Sequence, residues 1–414
     1  MQFKKVLEKS NLTQEVNDLL LSLKRDHIAL GPDYKELEPD EAERHLCLYR
    51  LSKKFEIPDN LDPKVRAQRC INDAVAYDQS GPLEFNPLSL SLSDTAYNLL
   101  NKLRVEIYRV SRHFKMSSDF VFSPGETLTG LRGDTSLFSK LSKKHNWQVT
   151  ADCFDLAAGI IYRNRYLKKA AKRLMPNYTK KENSLMWFAM EDQFEVFKLK
   201  LLDFVEIVPG SRLTTVPKNN SDDRVINIEP FLNMITQLSI GGSLTRCLYL
   251  EYGYVKEEAQ LKHREMISNL INATIDLKKA SDSNWLAVIK WLFPKRVFRF
   301  LDDARSPVTK LPDGTLVDLR MISPMGNGFT FEVMTFVLLC ASRLFNDDTS
   351  VYGDDIIIPR THAKPYIDLI TILGYKINES KTFIDGNFRE SCGGFFSKTR
   401  YLRSYDFEYC TDIY

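Results

Sequence analysis

Over residues 1–115 apolar side chains recur at helical spacing. Leu19, Leu20, Leu23 and Ile28 mark one apolar face, and Leu99, Leu100, Leu103, Ile107 and Val110 mark another. Gly31–Pro39 and Gly81–Pro87 interrupt the pattern and read as loops, as does Pro124–Gly125 running on to Gly133. From about residue 205 the texture changes. Short β-rich runs (VEIVP, RLTTVP, INATIDL, VYGDDIIIP, GYKIN, KTFID) alternate with helical segments, including the strongly apolar Val333–Leu344. Strands and helices mixed at irregular intervals predict an α+β fold rather than a regular βαβ array.

At 414 residues the chain has room for two or three domains, or one large multi-lobed one. A hydrophobic content of 43% supplies a sizeable core. The net charge of +3 permits nucleic-acid binding only if basic residues cluster. They do so once. Arg163, Arg165, Lys168, Lys169, Lys172, Arg173, Lys180 and Lys181 are interleaved with Tyr162, Tyr166 and Tyr178. That strip suits a phosphate backbone with aromatics for stacking, though taken alone it reads first as a solvated helix face. The seven cysteines contain no C-x-x-C pair and the six histidines no H-E-x-x-H. A zinc site or disulfide framework is not expected, and a reducing compartment is. The first residues lack the apolar run of a signal peptide, and no stretch approaches a membrane span. The expectation is a soluble, intracellular protein with no membrane partner.

The sharpest chemical signal is Val351-Tyr352-Gly353-Asp354-Asp355-Ile356-Ile357-Ile358. Two apolar runs flank a tight Gly-Asp turn, the signature of a hairpin. Adjacent aspartates at its tip repel each other unless a divalent cation neutralises them, and magnesium suits all-oxygen ligands. Asp276 ends the apolar run Ala273–Ile275 and is expected to lead into a helix. Beside the hairpin it would complete a carboxylate set able to hold two metals ~3.5–4 Å apart for phosphoryl transfer. Ser323-Pro324-Met325-Gly326-Asn327-Gly328 is a flexible loop able to bring backbone N–H groups and an amide to a nucleotide. Lys218 and Arg224 can neutralise a triphosphate. Alone, each signal also has a plain reading: an acidic turn, a helix cap, an ordinary loop, surface charge. Their order is specific. Lys/Arg, then Asp276 and Asp282, then the Ser/Gly/Asn loop, then Gly-Asp-Asp, then Lys381 is the order in palm-domain RNA polymerases.

The segments TTVPKNN, IEP, ATIDL, ASDS, SPMGNGFTFE, VYGDDII, KTF and FRESCG closely resemble replicases of levivirus-type positive-strand RNA bacteriophages, densely from Arg212 to about Phe396. The resemblance implies a right-hand polymerase with helical fingers and an antiparallel-sheet palm. Fingers and N-terminal region would span 1–270, with the nucleotide grip near 212–230. The palm would span 271–400. A divergent tail, 401–414, would stand in place of a thumb, which is expected to be short or absent, to be supplied by another chain, or to lie outside a chain that is a fragment. Asp276, Asp354 and Asp355 would ligate two magnesium ions, with manganese able to substitute. Lys218 and Arg224 would grip the triphosphate. Asp282 and Asn327 would read the ribose 2′-hydroxyl, with Ser323 and Gly326 beside them. Lys381 would be a general acid near the pyrophosphate, and FRESCGG would support the primer strand. Pro324 departs from the Ser or Thr usual in the family.

The implied partners are template and nascent RNA and nucleoside triphosphates. Host elongation factors Tu and Ts and a small-subunit ribosomal protein follow by resemblance only. The implied location is the cytoplasm of an infected bacterium. A reverse transcriptase and a non-catalytic RNA-binding relic are the alternatives. Asp282, Asn327 and Gly353 speak against the first, and the intact aspartates and Lys381 against the second.

Overall fold

The computed structural model describes residues 37–54, 62–122, 125–128, 135–142, 147–175, 193–219 and 222–403. The face Leu19–Ile28, the loop at 129–133, Tyr178, Lys180, Lys181 and the tail beyond 403 lie outside these residues. The fold is α+β, with several small sheets set among helices.

The helix expected around Leu99–Val110 runs Asp94–Ser111. The Ser93 hydroxyl caps it by accepting from the Ala96 N–H. Its buried face is Leu100, Leu103, Ile107 and Val110, and it packs on Phe231–Tyr252 and Thr330–Arg343. Most residues of those two helices are buried, so neither shows the polar face of a surface helix. Phe231–Tyr252 ends where Gly253 turns left-handed, with φ of 67°.

Against this helical core lies a three-stranded antiparallel sheet in the order Asn272–Ile275, Asp355–Pro359, Ser350–Tyr352. Its middle strand is a continuous apolar run because both faces are covered. Ile356 and Ile358 join the main core, while Ile357 packs with Met266, Ile267 and Phe396 on the other side. A four-stranded sheet joins the hairpin Gly210–Pro217/Asp223–Ile228 to Val308–Lys310 and Leu316–Asp318.

The C-terminal strands Phe388–Ser391, Gly394–Ser397 and Arg400–Tyr401 form a third antiparallel sheet. Buried Arg389 staples it to the central sheet, donating to the carbonyls of Leu270, Asn272 and Ile384. The helix Pro39–Lys54 closes over the far side. There Leu37, Ala42 and Leu46 meet Phe383, Phe388, Phe395 and Leu402, and Glu38, Asp40 and Glu43 pair with Lys398 and Arg400.

One local expectation changes. No helix follows Asp276 directly, because Leu277–Lys278 pairs with Lys376–Ile377. Lys279 then turns with φ of 50°, Ser281–Ser283 makes a 3₁₀ turn, and a helix starts only at Leu286. Partner strands distant in sequence override local helix signals here.

Candidate active site

Tyr352 and Asp355 pair across the predicted hairpin, which leaves Gly353 and Asp354 as its two loop residues. Gly353 has a φ of 65°, and a Cβ there would lie 2.7 Å from the Phe331 ring. Glycine is therefore required by both backbone and packing. The Gly353 N–H donates to Thr335 Oγ1 at 3.1 Å, tying the turn to Thr330–Arg343.

Ile275 pairs with Ile356 in the central sheet. One step further along the antiparallel register, Asp276 stands opposite Asp355. Strand pairing across some eighty residues of sequence thus brings the predicted carboxylates together. Asp276 is raised to about 6: burial is the largest cause, Lys381 and the Asn378 amide act against it, and Asp354 and Asp355 add to it. Burial also lifts Asp355 to about 6, with repulsion from Asp354 next, partly offset by the Cys392 N–H and aggravated by Glu390.

Asn378 Nδ2 donates to Asp276 Oδ2 at 2.6 Å, and Ser391 Oγ donates to Asp355 Oδ1 at 3.4 Å. Lys381 Nζ lies 3.6 Å from Glu390 Oε1, so an ammonium sits between a fourth carboxylate and Asp276. Sequence reasoning singled out neither Asn378 nor Glu390, and Glu390 entered only within the FRESCGG segment.

Lys218 and Arg224 are exposed on the Gly210–Ile228 hairpin. Lys218 comes near enough to Asp282 to favour its ionised form, against a burial that raises it. Ser281 Oγ donates to Asp282 Oδ1 at 3.1 Å. A small cavity beside Asp282 is lined also by Asp78, Asn227, Pro324 and Met325. Gly326 has φ of 106°, and a Cβ on it would lie 2.1 Å from the Asn227 carbonyl oxygen, so the loop lies flush on that strand. Ser323 is buried, and its hydroxyl has no protein partner. Asn327 Oδ1 accepts from the Phe329 N–H at 3.0 Å, while its Nδ2 is buried without a hydrogen bond.

The basic strip is a separate feature, on helices Phe154–Arg163 and Arg165–Leu174. Leu167 and Ala171 are its buried side; Arg163, Arg165, Tyr166, Lys169, Lys172 and Arg173 are exposed. Lys168 Nζ lies 3.3 Å from the centre of the Tyr162 ring. The first of these helices packs with Phe231–Tyr252 and Gln193–Leu202, and the second packs against the first.

The carboxylate cluster suits a hard dication, which relieves both the burial and the mutual repulsion that raise Asp276 and Asp355. Among the described residues no group of three or more His, Cys, Asp or Glu side chains is gathered closely enough to hold a metal ion by itself. Magnesium takes part of its coordination from waters and substrate phosphates. Among the same residues no helix is long and apolar enough to cross a membrane.

Fold and site together define an α+β protein whose paired-aspartate hairpin faces a third, strand-end aspartate. Residues 102–405 match the family model described as RNA replicase, beta-chain, and the chain belongs to that family. It is 40% identical over 201 residues to the RNA-directed RNA polymerase subunit beta of Qbeta virus strain MX1, covering 46% of this chain and 34% of that one. It is 34% identical over 199 residues to the beta chain of Escherichia phage MS2, covering 46% and 36%. It is 30% identical over 353 residues to that of Enterobacteria phage GA, covering 83% and 59%. The matches thus span about a third to three fifths of these relatives' own length.

Proposed function

We propose that this chain carries the nucleotidyl-transfer centre of an RNA-directed RNA polymerase that copies a viral RNA in the cytoplasm of an infected bacterium. The observation that carries the reading is the register that sets Asp276 opposite Asp355 at the tip of the Gly-Asp-Asp hairpin, within a chain of the replicase beta-chain family. In this reading the central sheet is the palm of a right hand, and the helices and the Gly210–Ile228 hairpin belong to the fingers.

Asp276, Asp354 and Asp355 would hold magnesium, or manganese in its place. When bound, the metal would lower the pKa of the primer 3′-hydroxyl and neutralise the departing pyrophosphate. Lys218 and Arg224 would bind the triphosphate, Arg224 as a fork. Asp282, Ser323, Gly326 and Asn327 would line the sugar. Lys381 would donate a proton to the pyrophosphate, steered by Glu390. The exposed cations from Arg163 to Arg173 would follow the RNA backbone, with base choice left to the template. Host elongation factors Tu and Ts and a ribosomal protein are carried as partners on the resemblance alone.

The test is template-dependent incorporation by the full chain with magnesium, using ribo- and deoxyribonucleotides in parallel. Ribonucleotide incorporation that needs RNA template and magnesium is expected. Equal use of deoxyribonucleotides would favour a reverse transcriptase. No incorporation with RNA still bound would favour a non-catalytic relic.

A further inference from the structure

Glu229 lies between the strand Asp223–Ile228 and the helix Phe231–Tyr252, and it is 0% exposed. Its Oε2 accepts from Ser306 Oγ at 2.6 Å and from Gln237 Nε2 at 3.1 Å. Its Oε1 has no partner, and neither has the buried Nδ2 of Asn327. The Asn327 amide is near enough to Glu229 to favour the ionised carboxylate. A buried acceptor and a buried donor left apart each carry a desolvation cost, which a hydrogen bond between them removes.

The same carboxylate reaches the loop by a second route. Gln237 Nε2 is held by Glu229 and by the Ala304 carbonyl, and this orients Gln237 Oε1 to accept the Gly328 N–H at 3.0 Å. The strand leading into Glu229 holds the loop from its other end, with the Asn227 N–H donating to the Met325 carbonyl at 2.8 Å.

We infer that Glu229 is a positioning residue for nucleotide selection, which fixes the Asn327 carboxamide so that its oxygen, not its nitrogen, is offered to the sugar. The inference rests on the polymerase reading above. With Nδ2 drawn to Glu229 and one lone pair of Oδ1 taken by the Phe329 N–H, the second Oδ1 lone pair is the atom left for an outside group. An acceptor there selects a hydroxyl donor, the ribose 2′-OH, and has nothing to gain from a deoxyribose hydrogen. A glutamine at 229 keeps the volume but can show Asn327 either an oxygen or an NH₂, so the carboxamide is then oriented by the Phe329 N–H alone.

The test is Glu229→Gln in the full chain, alone and combined with Asn327→Ala. The readouts are the ribo-to-deoxyribonucleotide ratio of kcat/KM and hydrogen exchange of the amides at 325–329. Glu229→Gln is expected to lower the ratio by about fivefold, to speed exchange at 325–329 selectively, and to add nothing once Asn327 is alanine. Any of three results overturns the inference. These are unchanged exchange at 325–329, an unchanged ratio despite faster exchange, or an equal drop in the ratio in both backgrounds. Faster exchange across the whole chain would mark Glu229 as a stability residue and overturn it as well. If the chain incorporates no nucleotide, the polymerase reading falls, while the exchange data still decide whether Glu229 holds the loop.

Discussion

Two of the sites that raise carboxyl pKa values in this molecule need opposite remedies. At the hairpin tip, burial and a neighbouring carboxylate lift Asp355 and Asp276 to about 6. In the Glu229 network, burial lifts a lone carboxyl to about 7, and Ser306, Gln237, Arg305 and Asn327 all act to lower it. Like charges set side by side are relieved by a dication, which binds several carboxylates at once. A single buried carboxyl is relieved by a proton or by completing its hydrogen bonds. A raised pKa alone therefore does not separate a metal-binding carboxylate from a positioning one, and the company it keeps does.

The largest expected effect falls on the first site. Asp276→Asn and Asp355→Asn should each lower incorporation by about 10³-fold or more, on the scale of lost transition-state electrostatics. RNA retention on a filter should be unchanged. Loss of RNA binding in step with activity would place the defect in folding rather than chemistry. Next comes Lys381→Leu, expected to slow the single-turnover rate by about 10²-fold while leaving nucleotide affinity close to the parent. A normal single-turnover rate with a raised KM would reduce Lys381 to a structural partner of Glu390.

Stability against pH sharpens the comparison. A carboxyl whose pKa is raised on folding binds its proton more tightly in the folded chain. Stability is then fully kept below the unfolded value and lost as pH rises through about 6 for the aspartates and about 7 for Glu229. In chelator, Tm should fall from pH 5 to pH 8, and Asp355→Asn and Glu229→Gln should each lessen the fall. Magnesium should lessen only the aspartate part. A parent chain whose Tm is flat from pH 6 to 8 once magnesium is added would erase the distinction between the two sites. The smallest effect belongs to the strip. Lys169→Ala should weaken RNA binding evenly across sequences and reduce the salt slope by about 0.7–0.9. An unchanged slope would return Lys169 to the solvated surface.

The hairpin was legible because its signals are local: two apolar runs, a glycine where φ must be positive, and two adjacent acids. The long buried helix Thr330–Arg343 was legible for the same reason, its apolar content being continuous. The pairing of Leu277–Lys278 with Lys376–Ile377 was not, and it turned an expected helix into a strand. Asn378 was missed because its role depends on that pairing: its N–H donates to the Asp276 carbonyl oxygen at 2.9 Å while its amide holds the carboxylate. Glu229 was visible only as part of the IEP segment, because one charged residue between Ile228 and Pro230 does not announce its burial. Its hydrogen-bond partners Ser306 and Gln237 come from other elements.

The central claim is that the three aspartates act as one magnesium-dependent centre, and Asp354, at the hairpin tip, is its most exacting test. The measurement is templated ribonucleotide incorporation by the parent chain and by Asp354→Asn across a magnesium titration, with RNA binding followed in the same samples. The account predicts incorporation by the parent that rises with magnesium, and a variant at least about 10²-fold lower at every concentration with RNA equally bound. Incorporation by Asp354→Asn that matches the parent across the titration would contradict it.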